Sequence, residues 1–366
     1  MIKNERVVVA MSGGVDSSVA AYLLKNQGYE VIGISLKLWD GEGLSHKVGR
    51  TCCSFEDIRD ASLVCSKLEI PFYSFNYSEN FREKVVDRFA EEYFAGRTPN
   101  PCVLCNHHVK FDQLFYEAKK LGASYLATGH YARIEKNEEG NFKLLKGIDA
   151  SKDQSYVLFQ LGQEHLSRLL FPVGMYTKAE IRKIAEENGL PTADKAESQD
   201  ICFIPNRDHA DFLEKHFKEK IPGIGNFIDR SGKILGAHKG YHAYTVGQRR
   251  GLGIGFGTRT YVVEIKPKTN EVVLGIASDL LSQGLLAVDV SWVSNLSFSE
   301  PIHCGVKIRY QKTEIPAQIF YDQKTRQAHV NFNQPSGAVA PGQAVVFYQG
   351  DQVLGGGFIT RAQYEI

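Results

Sequence analysis

The sequence predicts an α/β protein: a doubly wound parallel sheet, followed by a small central domain and a C-terminal antiparallel β-barrel. Three observations predict it. Strand-like and helix-like segments alternate up to about residue 205, the pattern of a parallel sheet covered on both faces. Beyond about residue 280, short apolar runs alternate with turn signals in the manner of a small barrel. The 366 residues, 43% of them hydrophobic, suit two or three domains with a sizeable core.

The elements follow in order. Val7-Val8-Val9-Ala10 is an apolar run that reads as a buried parallel strand, and Val19–Leu24 has helical spacing and good helix formers. Further strands are expected at 31–36, 70–75 and 125–130, with helices at 57–68, 81–95 and 109–121. In such sheets ligands sit beyond the carboxyl ends of the strands. The segments at 11–14 and at Gly129-His130 fall there. A helix at 208–218 leads into glycine-rich segments with short strands, and β runs follow at 287–292, 303–310, 314–321, 327–332 and 343–348. The domain bounds expected from this are 1–207, 208–280 and 281–366.

Between the first strand and the first helix stands Met11-Ser12-Gly13-Gly14-Val15-Asp16-Ser17-Ser18. Two adjacent glycines let the backbone curl close to a ligand. Serines on both sides add hydroxyl donors, and free N–H groups at the helix start favour an anion. The octamer reads as a phosphate cradle. It is not a Walker loop, because no GK[ST] follows the glycines.

Charge names no partner, since 43 basic residues balance 42 acidic ones to a net +1. The span 207–250 differs: it carries nine Lys/Arg against five Asp/Glu, with four histidines, and a local basic face can bind phosphates. No leader-like segment opens the sequence, and no run of about 18 apolar residues exists. A cytoplasmic protein with no membrane segment is expected. Seven cysteines in a reducing compartment suit thiols, metal ligands or redox chemistry better than structural disulfides.

Two cysteine settings stand out. Thr98-Pro99-Asn100-Pro101-Cys102-Val103-Leu104-Cys105-Asn106 is a C-x-x-C stiffened by prolines. Cys105 is expected near a helix start, where the macrodipole lowers a thiol pKa. Glu197-Ser198-Gln199-Asp200-Ile201-Cys202-Phe203 sets Cys202 among acids and amides, unusual for a packing cysteine. Cys65 and Cys304 fall in apolar patterns and read as core, and the adjacent Cys52 and Cys53 read as incidental. Structural zinc needs four ligands; Cys102 and Cys105 supply two, and His107 and His108 are too local to complete the set. Two polar strings remain, Lys152-Asp153-Gln154 and the segment 244–255 with Arg249, Arg250 and four glycines. Arginines among glycines suit phosphate contact.

In order along the chain, the strings at 11–18, 100–106, 127–132, 152–154, 197–203, 244–255 and 341–343 resemble the bacterial tRNA-specific 2-thiouridylase family of the ATP-pyrophosphatase superfamily. The resemblance runs nearly end to end. It implies a tRNA-uridine 2-sulfurtransferase that uses ATP to adenylate the C2 oxygen of the wobble uridine and then replaces that oxygen with sulfur. Cys202 would carry a persulfide and Cys105 would be the catalytic thiol. Ala10, Met11, Ser12, Gly13, Gly14, Val15, Asp16 and Ser17 would contact ATP, with Leu36 and Gly129 bordering the adenosine. Asn100, Pro101 and Cys102 would approach the target base. Lys152, Asp153, Gln154, Arg309 and Tyr310 would touch tRNA, with His130 and Gln343 as further recognition positions. Arg249 and Arg250 are added here as phosphate contacts on their chemistry alone.

The implied partners are tRNAs for Lys, Glu and Gln, and a cysteine desulfurase or sulfur-relay protein. The implied cofactors are ATP and Mg2+. Many family members carry aspartate at position 102, so an acid–base role of that residue does not transfer to Cys102. Three cysteines, Cys102, Cys105 and Cys202, would also supply three corners of a [4Fe–4S] cluster. The persulfide route is preferred, because the other motifs follow it. Two readings compete with the whole: another ATP-pyrophosphatase ligase, and a non-catalytic tRNA-binding or sulfur-carrier protein.

Overall fold

Val7, Val8 and Val9 are fully buried in β1 (Arg6–Ala10), because this strand is flanked on both edges and covered on both faces. The computed structural model describes residues 5–39, 55–196, 201–204, 208–253, 259–294, 296, 298–310 and 312–363. Cys52, Cys53, residues 197–200 and residues 254 and 255 of the glycine–arginine string lie outside the described residues. The chain forms two compact units: 1–86, 102–207 and 351–353 make the first, and 87–101, 208–350 and 354–366 the second.

In the first unit, α1 (Val15–Asn26), β2 (Glu30–Lys37), α2 (Phe55–Lys67) and β3 (Phe72–Asn76) follow β1. Then come α3 (Ser78–Phe81), α4 (Arg88–Phe94, in the second unit), α5 (Pro101–Cys105), α6 (Asp112–Lys120) and β4 (Tyr125–Ala127). A hairpin of β5 (Ala132–Lys136) and β6 (Phe142–Lys146), α7 (Gln163–Leu166), β7 (Leu169–Leu170) and α8 (Lys178–Glu187) complete it.

The parallel sheet has the order β3-β2-β1-β4-β7. Strand order therefore reverses direction between β1 and β4, which puts the switch point, where such sheets bind ligands, at their carboxyl ends. The core below it joins Val7, Val9, Met11, Val19 and Ala127 to α2 through Val64 and Cys65. Burial pushes the Cys65 thiol up to about 12, in keeping with a packing role.

Two helices differ from expectation. The helix expected over 109–121 begins at Pro101 and runs through a π-helical stretch, Asn106–Phe111, into α6. Proline at the first helical position needs no N–H partner there, so Pro101 starts the helix rather than merely stiffening its approach. The helix expected over 81–95 likewise contains a π-helical stretch, Arg82–Asp87. The expected fourth strand ends at Ala127, and Thr128-Gly129-His130 is loop.

The second unit holds α9 (His209–His216) and two sheets. The smaller has the order β10 (Tyr261–Lys266), β11 (Glu271–Gly275), β8 (Gly225–Ile228), β9 (Ile234–His238), with β11 and β8 parallel. The larger is an antiparallel barrel of β12 (Leu281–Trp292), β13 (Ile302–Lys307), β14 (Ile315–Asp322), β15 (Gln327–Gly337), β16 (Ala344–Gln349) and β17 (Gln352–Gln363). It closes where β12 pairs with β17, which removes its open edges. Val306, Ile319, Val330, Val345 and Phe347 fill its interior.

Candidate active site

The end of β1 is pinned before the chain turns. Met11 N donates to Ile34 O at 2.7 Å, and Ser35 Oγ donates to Met11 O at 2.9 Å. Gly13 then takes φ +71°, and a β-carbon there would be driven into the Asp57 carbonyl, so glycine is required twice over. Gly14 is the N-cap of α1 in an extended conformation, and no side chain caps the helix. The leading N–H groups of α1 are left for an anion.

The serine hydroxyls bond within the loop itself. Ser17 and Ser18 are buried, and their hydroxyls donate to Gly14 O at 3.1 and 2.9 Å. Ser17 Oγ also accepts from Ser12 N at 3.2 Å. These bonds hold the loop's shape, and Ser12 is exposed.

Asp16, in the first turn of α1, is held from two sides. The Lys178 ammonium lies 2.7 and 2.9 Å from its two carboxylate oxygens, and the Tyr131 hydroxyl donates to Oδ1 at 2.6 Å. Lys178 is the first residue of α8. A capping box between Thr177 and Glu180 fixes that turn, and Asp149 Oδ2 accepts from Lys178 N at 3.0 Å. Sequence reasoning missed Lys178. Its only local signal was the Thr177-x-x-Glu180 capping pattern, which places the helix start but says nothing of what the lysine reaches.

The β4 loop lies against the same turn. A β-carbon on Gly129 would stand 2.7 Å from Ser17 N, so only glycine lets the two backbones approach. His130 Nδ1 hydrogen-bonds Thr128 Oγ1 at 2.7 Å, and its ring packs between Phe111 and Phe171. Burial, helped by the Lys110 charge, pushes His130 down to about 3, so it is neutral in the working range. Leu36 is buried near the end of β2 and Ala10 ends β1.

The string 152–154 is largely internal. Asp153 is buried and accepts from Gly147 N, Ser155 N and Ser155 Oγ at 3.2, 3.1 and 3.0 Å. Gln154 Oε1 accepts from Tyr131 N at 2.9 Å, so it braces the residue that holds Asp16. Lys152 is half-buried.

The five described cysteines carry no disulfide. Cys102 is exposed, Cys105 is buried at the junction of α5 with the π-helical stretch, and Cys202 is half-buried. The residue after Cys202 is an anchor: Phe203 is buried, with ring centroids 6.1 Å from Trp39 and 5.7 Å from Phe81. Among the described residues no three Cys, His, Asp or Glu side chains are grouped to hold a metal ion. As they stand, Cys102, Cys105 and Cys202 are not grouped to hold three corners of a [4Fe–4S] cluster.

In the second unit, Gln343 Nε2 donates to Thr98 O at 2.8 Å and Pro99 O at 3.2 Å. It thereby braces the segment that leads to Asn100 and buried Pro101. Arg309 Nη2 donates to Val246 O at 2.8 Å and Ala338 O at 3.2 Å, which ties down the backbone at the start of the glycine–arginine string. Tyr310, Arg249 and Arg250 are exposed. Burial pushes Cys304 up to about 12, as for a packing thiol.

A switch-point loop with an uncapped helix start and a clamped aspartate defines a nucleotide-binding α/β enzyme domain. Comparison with known proteins carries this further. Family models match residues 5–206 (tRNA methyl transferase HUP domain), 210–276 (tRNA methyl transferase PRC-barrel domain) and 282–359 (Aminomethyltransferase beta-barrel domain). The tRNA-specific 2-thiouridylase MnmA of Geobacter metallireducens is 50% identical over 99% of this chain and 98% of its own. That of Carboxydothermus hydrogenoformans is 48% identical over 99% of both. Among solved structures, a 4-thiouridine synthetase–RNA complex with bound ATP aligns at 18% identity and TM-score 0.35, over 59% of this chain and 50% of that one, a likeness too slight to carry an argument. The chain belongs to the tRNA-specific 2-thiouridylase family. Among the described residues no helix is long and apolar enough to cross a membrane.

Proposed function

We propose that this chain is an ATP-dependent tRNA-uridine 2-sulfurtransferase that makes 2-thiouridine at the wobble position. The observation that carries the reading is the loop 11–18, closed around Asp16 at the β1/β4 switch point, in the same compact unit as Cys105 and Cys202. Sulfur insertion needs both an oxygen-activating nucleotide site and thiols. The relatives' name fits that pair of features better than the words methyl transferase in the domain descriptions.

A urea-like carbonyl is a poor electrophile and oxide a poor leaving group. In the proposed reaction the uridine C2 oxygen attacks the α-phosphorus of ATP, and pyrophosphate departs toward the loop and the start of α1. Magnesium enters with the nucleotide as part of the substrate. The terminal sulfur of a Cys202 persulfide then attacks C2, and AMP leaves. The Cys105 thiolate attacks the Cys202 sulfur, which frees 2-thiouridine and forms a Cys105–Cys202 disulfide. An external thiol reductant restores both thiols. Hydrosulfide released by Cys105 attack on the persulfide is the other route to the same product. Asn100, Pro101 and Cys102 approach the base, and Lys152, His130, Arg249, Arg250 and Tyr310 contact tRNA. A cysteine desulfurase or relay protein loads Cys202, and tRNAs for Lys, Glu and Gln are the substrates.

Nucleoside mass spectrometry of tRNA from a strain lacking this protein tests the reading. Loss of 2-thiouridine, restored by the wild-type gene, is expected; unchanged 2-thiouridine refutes it. ATP–pyrophosphate exchange that does not depend on tRNA would favour another pyrophosphatase ligase.

A further inference from the structure

We propose that Lys178 is a positioning residue of the phosphate site: it neutralises and holds Asp16 so that a polyphosphate can enter the loop. The proposal deepens the nucleotide reading and rests on it. A carboxylate in the first turn of α1 suits the helix dipole but opposes a second anion at the same place. A pyrophosphate or triphosphate approaching Gly13 and Gly14 would meet that charge within a few ångströms. Lys178 removes the conflict by meeting both carboxylate oxygens.

The arrangement is built. The lysine side chain is only 10% exposed. Its backbone is fixed by the Thr177–Glu180 capping box and by Asp149, and its ammonium lies 5.8 Å from the Tyr131 ring centroid. The Asp16 side chain is 29% exposed, and a partly buried ion pair of this kind is poor evidence for stability, because its desolvation cost offsets its attraction. It is better explained by what it does to the charge at the loop.

Isothermal titration with inorganic pyrophosphate in the presence of EDTA tests this on the full chain without any turnover. Wild type, K178Q, K178R, D16N and the double variant K178Q/D16N are compared. K178Q should bind pyrophosphate at least fivefold more weakly, because Asp16 is then an unopposed anion. Removing that anion as well should bring the double variant back to within threefold of D16N. K178R should stay within threefold of wild type, which also covers the case in which K178Q fails to fold. A smaller loss in K178Q, a double variant no tighter than K178Q, or a K178R as weak as K178Q would overturn the proposal. A wild type that binds neither ATP nor pyrophosphate would overturn the nucleotide reading and the proposal with it. A wild type that binds both, matched by K178Q, overturns the proposal alone.

Discussion

Cys102 is the residue whose role is most exposed to experiment. It is a solvent-exposed thiol in α5, three residues before buried Cys105, at a position where the family often carries aspartate. The persulfide route uses Cys202 and Cys105 and asks nothing of a thiol at 102. Cys102→Asp should therefore keep thiolation within about fivefold of wild type in single-turnover assays. Cys105→Ser and Cys202→Ser should fall by roughly 10²-fold or more, the usual scale for losing a nucleophile or its activated partner. Protein purified without oxygen should be colourless. A brown preparation with about four irons per chain, losing iron and activity in Cys102→Ser, would replace this route with cluster chemistry.

The short segment around Cys202 owes its place to the next side chain. Phe203 lies among Trp39 and Phe81, so Cys202, directly before it in the chain, is tied down by one aromatic ring. Phe203→Ala should cost about 3–5 kcal/mol of local packing and loosen Cys202 without touching the phosphate loop. Thiolation should fall more than tenfold while ATP–pyrophosphate exchange with tRNA stays within threefold; equal losses in both would mean that Phe203 supports the whole unit instead. The same contrast explains what the sequence could and could not show. Val7–Val9 and the glycine loop were legible because a buried parallel strand is a plain apolar run and its turn needs glycines. Lys178 was not, because it is a single charged residue at an ordinary helix start and meets Asp16 162 positions away in the chain. Nor was β17, whose Gly355-Gly356-Gly357 lowers strand propensity; a β-carbon at Gly357 would come within 2.8 Å of the Val288 carbonyl on β12. The family resemblance makes Arg309 and Gln343 tRNA contacts, and each also has a donor on a backbone carbonyl. No local pattern distinguishes an arginine that faces solvent from one that braces a loop.

At the scale of the whole molecule, protons and salt act on different groups. His238 and His242 are buried, and burial lowers both, outweighing the pull of Glu214 on His242. His209 and His130 are lowered by burial too. The folded chain excludes protons that the unfolded chain accepts below its ordinary histidine value of about 6.5. Stability is therefore intact above that value and falls with acid, by up to about 1.4 kcal/mol per pH unit for each such histidine. Thermal melts from pH 7.5 to 5.5 should show the decline, and His242→Leu should reduce its slope by one proton's share; a flat profile would contradict the burial of these rings. Salt acts through the surface. The net charge is only +1, so a long-range field cannot supply tRNA affinity, and local clusters must. Arg249 and Arg250 are exposed beside a run of glycines, free to meet phosphates without desolvating a buried partner. Each phosphate contact releases about one counterion, so affinity should fall steeply with salt despite the neutral balance. Reversing both charges, Arg249→Glu with Arg250→Glu, should flatten the plot of log affinity against log salt by about one to two units. Pyrophosphate binding at the loop, which uses other residues, should stay within twofold. Identical salt slopes for wild type and the double variant would place these two arginines away from the nucleic acid.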